Sequence, residues 1–298
     1  MARFIAGLST VAGTVLMLTG AASASPFFFS TGDVDGKIAT ASRPGGGGKI
    51  EIESADDFLL GATTKITSAS FTGLLTGGAT PADIGAVVVE IYRVFPGDSD
   101  VGRTSGPPTF STPQVPTRVN SPSDVAFDSR DTVVPNLSFS VSVLSPTFTA
   151  SNSILNGIHP SPSSTTGGEG PVTGEEVQFN VTFTVPFDLP PDHYFFIPQV
   201  ELAGADQEFF WLSAPKPIVA PGTPFLPDLQ SWIRNEDLAP DWLRIGTDIV
   251  GPPPTGGPAP TFNAAFTLNG ETVPEPMSLA LLGFGLAGLG VIRRKRAA

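Results

Sequence analysis

His159 and His193 are the two imidazoles of the chain, and neither has a second histidine at metal-ligand spacing. There is no cysteine, which excludes a thiolate nucleophile, a cysteine-based zinc site and a disulfide framework. His193 follows Asp192 directly before an apolar run, a position that ends a turn as readily as it serves a reaction. No Gly-x-Ser-x-Gly elbow occurs, so the usual hydrolase nucleophile signature is missing. Carboxylates are plentiful, among them Glu175, Glu176, Glu201, Asp206 and Glu208. A glycosidase needs two of them held at a set separation across a sugar, which sequence spacing does not supply. The default reading is an acidic, solvated surface, and a secreted glycan hydrolase ranks third among the functions considered.

Two binding chemistries are better placed. Asp33-Val34-Asp35-Gly36 and Asp98-Ser99-Asp100-Val101-Gly102 resemble fragments of calcium loops. Counting from Asp33, the twelfth position is Pro44, where an EF-hand requires glutamate. That leaves Asp98 and Asp100 as the candidate calcium ligands, and no other cofactor is expected. An aromatic platform for a sugar ring would draw on Trp211, Trp232 and Trp242. Phe209-Phe210-Trp211 reads as strand, so neighbouring rings must face opposite sides, and packing against a second layer is the favoured explanation. The four consecutive glycines Gly45 to Gly48 lack the Lys-Ser/Thr step of a phosphate-binding loop.

The elements that must position these residues follow from composition. The 298 residues contain 33 glycines and 31 prolines, and only 15% are charged against a usual ~25%. That mixture suits strands joined by many turns. The formal net charge is −12. Setting aside Arg3 and the four cations at the C-terminus leaves 11 basic residues against 27 acidic ones between the two ends, a net charge of −16. Such a surface repels phosphate backbones, so nucleic acid is not an expected partner. It fits solubility outside the cell.

Period-two alternation marks the strands. Leu137, Phe139, Val141 and Val143 alternate with Ser138, Ser140 and Ser142. Val177, Phe179, Val181, Phe183 and Val185 alternate with Gln178, Asn180, Thr182 and Thr184, and Phe262, Ala264, Phe266 and Leu268 form a third row. Such patterns put apolar side chains on one sheet face and hydroxyls or amides on the other. Further strands are expected at Lys49 to Glu53, Thr64 to Thr72, Ala86 to Phe95, Tyr194 to Glu201 and Glu208 to Leu212. One short helix is expected at Asp228 to Arg234, where Leu229, Trp232 and Ile233 would share a face. Residues 42–48, 102–123 and 251–260 read as loops. The expected fold is all-β: an antiparallel β-sandwich, jelly-roll-like, over residues 25–272.

The two ends carry a different message. Residues 1–24 read as a cleavable signal peptide: Arg3 and the free amine, an uncharged apolar stretch to Gly20, then Ala22-Ser23-Ala24, with the cut before Ser25. At the other end Val273-Pro274-Glu275-Pro276 precedes an apolar run from Met277 to Ile292, closed by Arg293-Arg294-Lys295-Arg296. The 16 apolar residues would span about 24 Å as a transmembrane helix, short of the ~30 Å hydrocarbon core, with the arginines snorkelling to the interface. The four cations hold that end cytoplasmic, so Pro-Glu-Pro lies at the outer face in an extended form.

Val273 to Pro276, Leu281-Leu282-Gly283, Gly285 to Leu289 and the basic cluster together resemble the PEP-CTERM sorting signal of exosortase substrates, over residues 273–298. The resemblance implies processing by signal peptidase and then an exosortase in a Gram-negative bacterium. It further implies a transient inner-membrane anchor and final residence at the cell surface or in extracellular matrix. Residues 51–58 and 66–73 are also similar to the opening strands of β-sandwich domains in other proteins with this signal. The expected role is non-enzymatic and structural, in a biofilm or exopolysaccharide matrix. The alternative is a carbohydrate-binding or calcium-dependent adhesive module.

Intact mass spectrometry checks the processing expectation: the secreted protein should begin at Ser25 and lack Arg293 to Arg296, and recovery of those residues outside the cell would count against it.

Overall fold

The computed structural model describes residues 24–103, 117–158 and 165–274. Fifteen strands follow in chain order: β1 (Ser25–Ser30), β2 (Ala39–Ala41), β3 (Ile52–Leu60), β4 (Thr64–Leu75), β5 (Ile84–Arg93), β6 (Asp128–Asp131), β7 (Leu137–Ala150) and β8 (Ser153–Ile154). Then come β9 (Val172–Leu189), β10 (Asp192–Leu202), β11 (Phe209–Ala214), β12 (Trp232–Asn235), β13 (Leu243–Arg244), β14 (Asn263–Ala264) and β15 (Phe266–Thr272). They form two sheets, as a β-sandwich requires. The six-stranded sheet runs β13-β12-β3-β10-β5-β6. In the nine-stranded sheet β7, β9, β4, β15 and β1 lie side by side, and the C-terminal end of β4 passes to β11, which continues to β2 and β8. Consecutive strands cross repeatedly between the sheets, as in β3 to β4 to β5 and β9 to β10 to β11.

The alternating segments become strands for the reason their pattern suggests. In β9, Val177, Phe179, Val181 and Phe183 are buried, while Asn180, Thr182 and Thr184 are exposed. The inner rows of both sheets meet in one core. Phe71 and Phe179 stack across the β4–β9 ladder at 4.7 Å with 8° between planes, and Phe196 of β10 stacks on Phe266 of β15 at 4.9 Å. The outer face of the nine-stranded sheet carries cross-strand rows of small polar groups. Ser138, Thr182, Ser68 and Asn269 form one row, and Ser140, Asn180, Ser70 and Thr267 the next.

Two smaller clusters cover what the main core leaves over. Phe210 and Leu212 point away from Phe209 and Trp211 and join Ile233, Leu243, Ile245 and Ile249. On the outer side of the six-stranded sheet, Ala55, Tyr92, Phe195, Ile197 and Trp232 form one cluster with Leu229 and Trp242. The packing of Phe209-Phe210-Trp211 against two layers matches its reading from sequence.

Three local expectations are corrected. The helix over Asp228 to Arg234 does not form; Trp232–Asn235 is strand β12, paired with β3 at Trp232↔Ala55, Ile233↔Ser54 and Arg234↔Glu53. Extended backbone sends Trp232 and Ile233 into different clusters, which one helical face could not do. Lys49 is not in a strand: Gly46 and Lys49 exchange both backbone hydrogen bonds across a tight turn, and β3 begins at Ile52. Gly47 and Gly48 take φ of 59° and 84°, the left-handed pair that such two-residue turns need. The row from Phe262 to Leu268 is split between β14, which pairs with β11, and β15, which pairs with β4.

Chemical denaturation of point variants tests the facing of β9. Phe179→Asp should abolish folding or cost more than about 4 kcal/mol, since it opens a cavity and buries a charge in the core. Thr182→Asp on the open face should cost less than about 1 kcal/mol.

Candidate functional site

The sequence-selected binding residues fall in three different settings. Trp211, Trp232 and Trp242 are each only 1% exposed. The Trp211 indole donates to the Ala265 carbonyl at 2.9 Å, and the Trp242 indole donates to the Ser123 carbonyl at 3.0 Å. The tryptophan platform for a sugar is therefore corrected: these rings fill the interior, and none presents a face to solvent. The sequence places Trp232 and Trp242 in a stretch without clear periodicity, and this concealed their role in covering the second sheet.

Asp98 and Asp100 close a turn. Asp98 sits at φ 45° with its carboxylate 3.7 Å from Arg93 Nε. Asp100 accepts from the Gly102 amide at 2.9 Å, and its own amide donates to Asp124 at 2.8 Å. Asp35 serves similarly, accepting from the Lys37 amide and from the Ser213 hydroxyl. Among the described residues, no three or more acidic or histidine side chains converge as a metal site.

His193, at the start of β10, faces Asp57 of β3, with Nε2 2.6 Å from the carboxylate. The register His193↔Leu59 sets them close, and Asp57 also accepts from the Leu229 amide at 3.1 Å. Its neighbour Asp56 turns to the opposite face and accepts from the Ala264 amide at 2.9 Å. Burial holds both carboxyls above their ordinary range, and Asp57 pushes Asp56 up further. Lys216 lies nearby, tied to Asp228 at 2.6 Å and to the Asn263 side chain at 2.9 Å. A carboxylate on an imidazole orients it, which is half of a nucleophile-activating arrangement. Among the described residues the pair links the start of β10 to β3 and, through Asp57, to the Leu229 backbone. His159 lies outside the described residues.

A second polar group was not anticipated. Arg234 on β12 pairs with Glu53 on β3, and its guanidinium donates to the Tyr92 hydroxyl at 2.8 Å. Tyr92 donates to Glu53 at 2.9 Å and lies 3.3 Å from Glu90. The guanidinium also stacks over the Trp242 ring at 4.3 Å. Burial first, and then the Glu53 charge, push the Glu90 carboxyl up to about 8. The Tyr92 hydroxyl is raised too, by burial and then Glu53. The signal in the sequence was a lone glutamate inside the otherwise apolar strand at Val89-Glu90-Ile91.

The junction at the ends of the sandwich has a geometry of its own. Residues Ser25–Val273 form one compact unit whose two ends meet in one ladder. Ser25 pairs with Thr272 in the β1–β15 ladder; the Ser25 amide donates to the Thr272 hydroxyl at 3.3 Å, which in turn donates to the Ser25 carbonyl. The Val273 amide donates to the Thr63 carbonyl at 2.7 Å, and the Val273 side chain is exposed. Ala24 and Pro274 are the last described residues on either side; Ala22, Glu275, Pro276 and the cluster Arg293 to Arg296 lie outside them. The apolar run from Met277 to Ile292 lies outside them as well; no helix among the described residues is long and apolar enough to cross a membrane.

Residues 272–296 match the model of the PEP-CTERM protein-sorting motif. No significant match was found among curated proteins or among solved structures. The motif thus begins at the last residue of β15, where the sandwich ends.

The Glu90 cluster gives the body a pH signature. A carboxyl raised from 4.5 in the unfolded chain to about 8 when folded adds stability that is complete below pH ~4.5. That contribution declines as pH rises and is gone above about 8. Glu90→Gln keeps a neutral group of the same shape. Thermal unfolding followed between pH 5 and 8 should show a flatter pH dependence and a higher midpoint at pH 8 for the variant.

Proposed function

We propose that this chain, an exported protein handled by the exosortase system, is a non-enzymatic structural component of the cell surface or extracellular matrix. The observation that carries the reading is the match of residues 272–296 to the PEP-CTERM sorting motif, directly after the last strand of the sandwich. That motif makes an exosortase the processing partner. In this reading residues 1–24 are removed by signal peptidase. Residues 273–298 hold the chain briefly in the inner membrane through an apolar helix, and the β-sandwich, with its jelly-roll-like crossings, is what is delivered.

Delivery and structure support one another. Pro274 begins the recognition step one residue beyond the last backbone hydrogen bond of the body and biases Val273 before it to extended backbone. Several titratable groups of the interior are paired: Glu53 with Arg234, Asp57 with His193, Lys216 with Asp228. This arrangement suits a durable scaffold. The glycan-binding alternative loses its tryptophan platform to the interior. Exopolysaccharide remains a partner of this reading as the medium around the protein, and calcium has no part in it.

Glu275→Ala tests the reading. Fractionation of cells expressing the variant should find the protein retained in the envelope with its basic tail attached, whereas the parent chain appears outside without it. Unchanged release would show that Pro-Glu-Pro is not being read.

A further inference from the structure

Sheet edges distinguish this sandwich. On the six-stranded sheet both edges are blunted: β13 is two residues long, and β6 is the four-residue Asp-Ser-Arg-Asp. Short length and charge are the usual protections against pairing with a foreign strand. In the nine-stranded sheet β8 and β14 have two residues each, and β1 has six with a proline at its second position. Strand β7 is the exception. It runs for fourteen residues, pairs with β9 alone, and contains no charged side chain. From Leu137 to Val143 no backbone group bonds to anything on the side away from β9 among the described residues.

The two halves of β7 differ. Register breaks between Val143 and Ser145 and between Ser145 and Phe148, with Pro146 between them, disturb the C-terminal half. The half Leu-Ser-Phe-Ser-Val-Ser-Val has none of these devices. It is a regular, uncharged, β-branched and aromatic segment, the kind that adds strands readily. Phe139 and Val141 pack on the core but stay half-buried, and Val143 is 48% exposed.

We propose that Leu137–Val143 is a self-pairing edge that joins two copies of this chain, antiparallel about a two-fold axis, into one continuous sheet. A net charge of −16 on residues between the two end segments makes copies repel one another, and the uncharged stretch of β7 is a long edge that adds nothing to that repulsion. Self-complementarity selects the occupant. In a register centred on Ser140, Phe139 lies opposite the partner's Val141 and Leu137 opposite the partner's Val143, on the core side. The serines meet serines on the other side. Like chemistry meets like chemistry at every position, which an isologous interface requires. The proposal does not rest on the sorting reading, because the edge belongs to the sandwich however it is delivered.

Residues 25–273 hold all three apolar clusters, so this unit serves as the test protein. Sedimentation velocity from low micromolar to millimolar concentration should show a reversible monomer–dimer equilibrium. Ser140→Lys places two like charges opposite each other at the axis and should weaken dimerisation by about tenfold or more. Asn180→Lys adds the same charge on β9, which is paired on both sides, and should leave dimerisation within about twofold. Circular dichroism and the thermal midpoint should be unchanged in both variants, showing that the fold is intact. A parent protein that stays monomeric throughout, or equal weakening by both variants, would overturn the proposal. Growth beyond the dimer that Ser140→Lys blocks would overturn the two-fold form and assign the contact to β7 of one copy against β1 of the next.

Discussion

Strand β11 leaves no face for water. Phe209 and Trp211 point one way and Phe210 and Leu212 the other, and all four are buried. A strand of this composition cannot belong to a sheet with one wet side. The chain must supply apolar cover on both faces. Much of the rest of the architecture meets this demand. The main core closes over Phe209 and Trp211 through the aromatic residues of β4, β9, β10 and β15, while Ile233, Leu243, Ile245 and Ile249 are spent on Phe210 and Leu212. The long passage from Pro215 to Phe262, poor in regular structure, is thereby explained as a covering layer.

The same layer explains the buried charges. Strand β3 carries Glu53, Asp56 and Asp57, all at most 3% exposed, and carboxylates so placed must find partners or protons. Arg234 and His193 come from strands on either side of β3, β12 and β10, and meet Glu53 and Asp57. Removing one partner from such a pair strands the other, at a cost of about 3–5 kcal/mol. Glu53 thereby ties β12 to β3 through Arg234, and Asp57 ties β10 to β3 through His193.

Strong alternation was readable directly. Strands β4, β7 and β9 lie where their apolar periods put them, because a half-buried sheet imposes period two on the sequence that forms it; β5, β10 and β11 were readable instead as short continuous apolar runs. The errors lie where tertiary contacts decide. Trp232-Ile233-Arg234 has no period of its own; pairing with β3 makes it a strand. The tryptophans invited a ligand reading because exposure cannot be judged in a segment that gains structure only from its neighbours. Arg234 and Tyr92 are far apart in sequence, so the lone Glu90 in an apolar strand could signal a buried polar group but not its partners. At the candidate site the converse held: the sorting motif is contiguous, so its recognition required no fold at all. What the fold added was the adjacency of Ser25 and Thr272.

That adjacency has a mechanical meaning. Because Ser25 and Thr272 are opposite one another at the same end of an antiparallel ladder, a pull on Thr272 against Ser25 loads the ladder's hydrogen bonds one pair at a time. Such a geometry peels like a zipper and yields at low force. A pull on the tail against a contact along β7 passes in turn through the β15–β4, β4–β9 and β9–β7 ladders, and within each ladder many hydrogen bonds share the load. The sandwich is therefore soft when tugged by its two ends and stiff when held by its far edge, and a load-bearing lattice built from it would gain strength from the second grip.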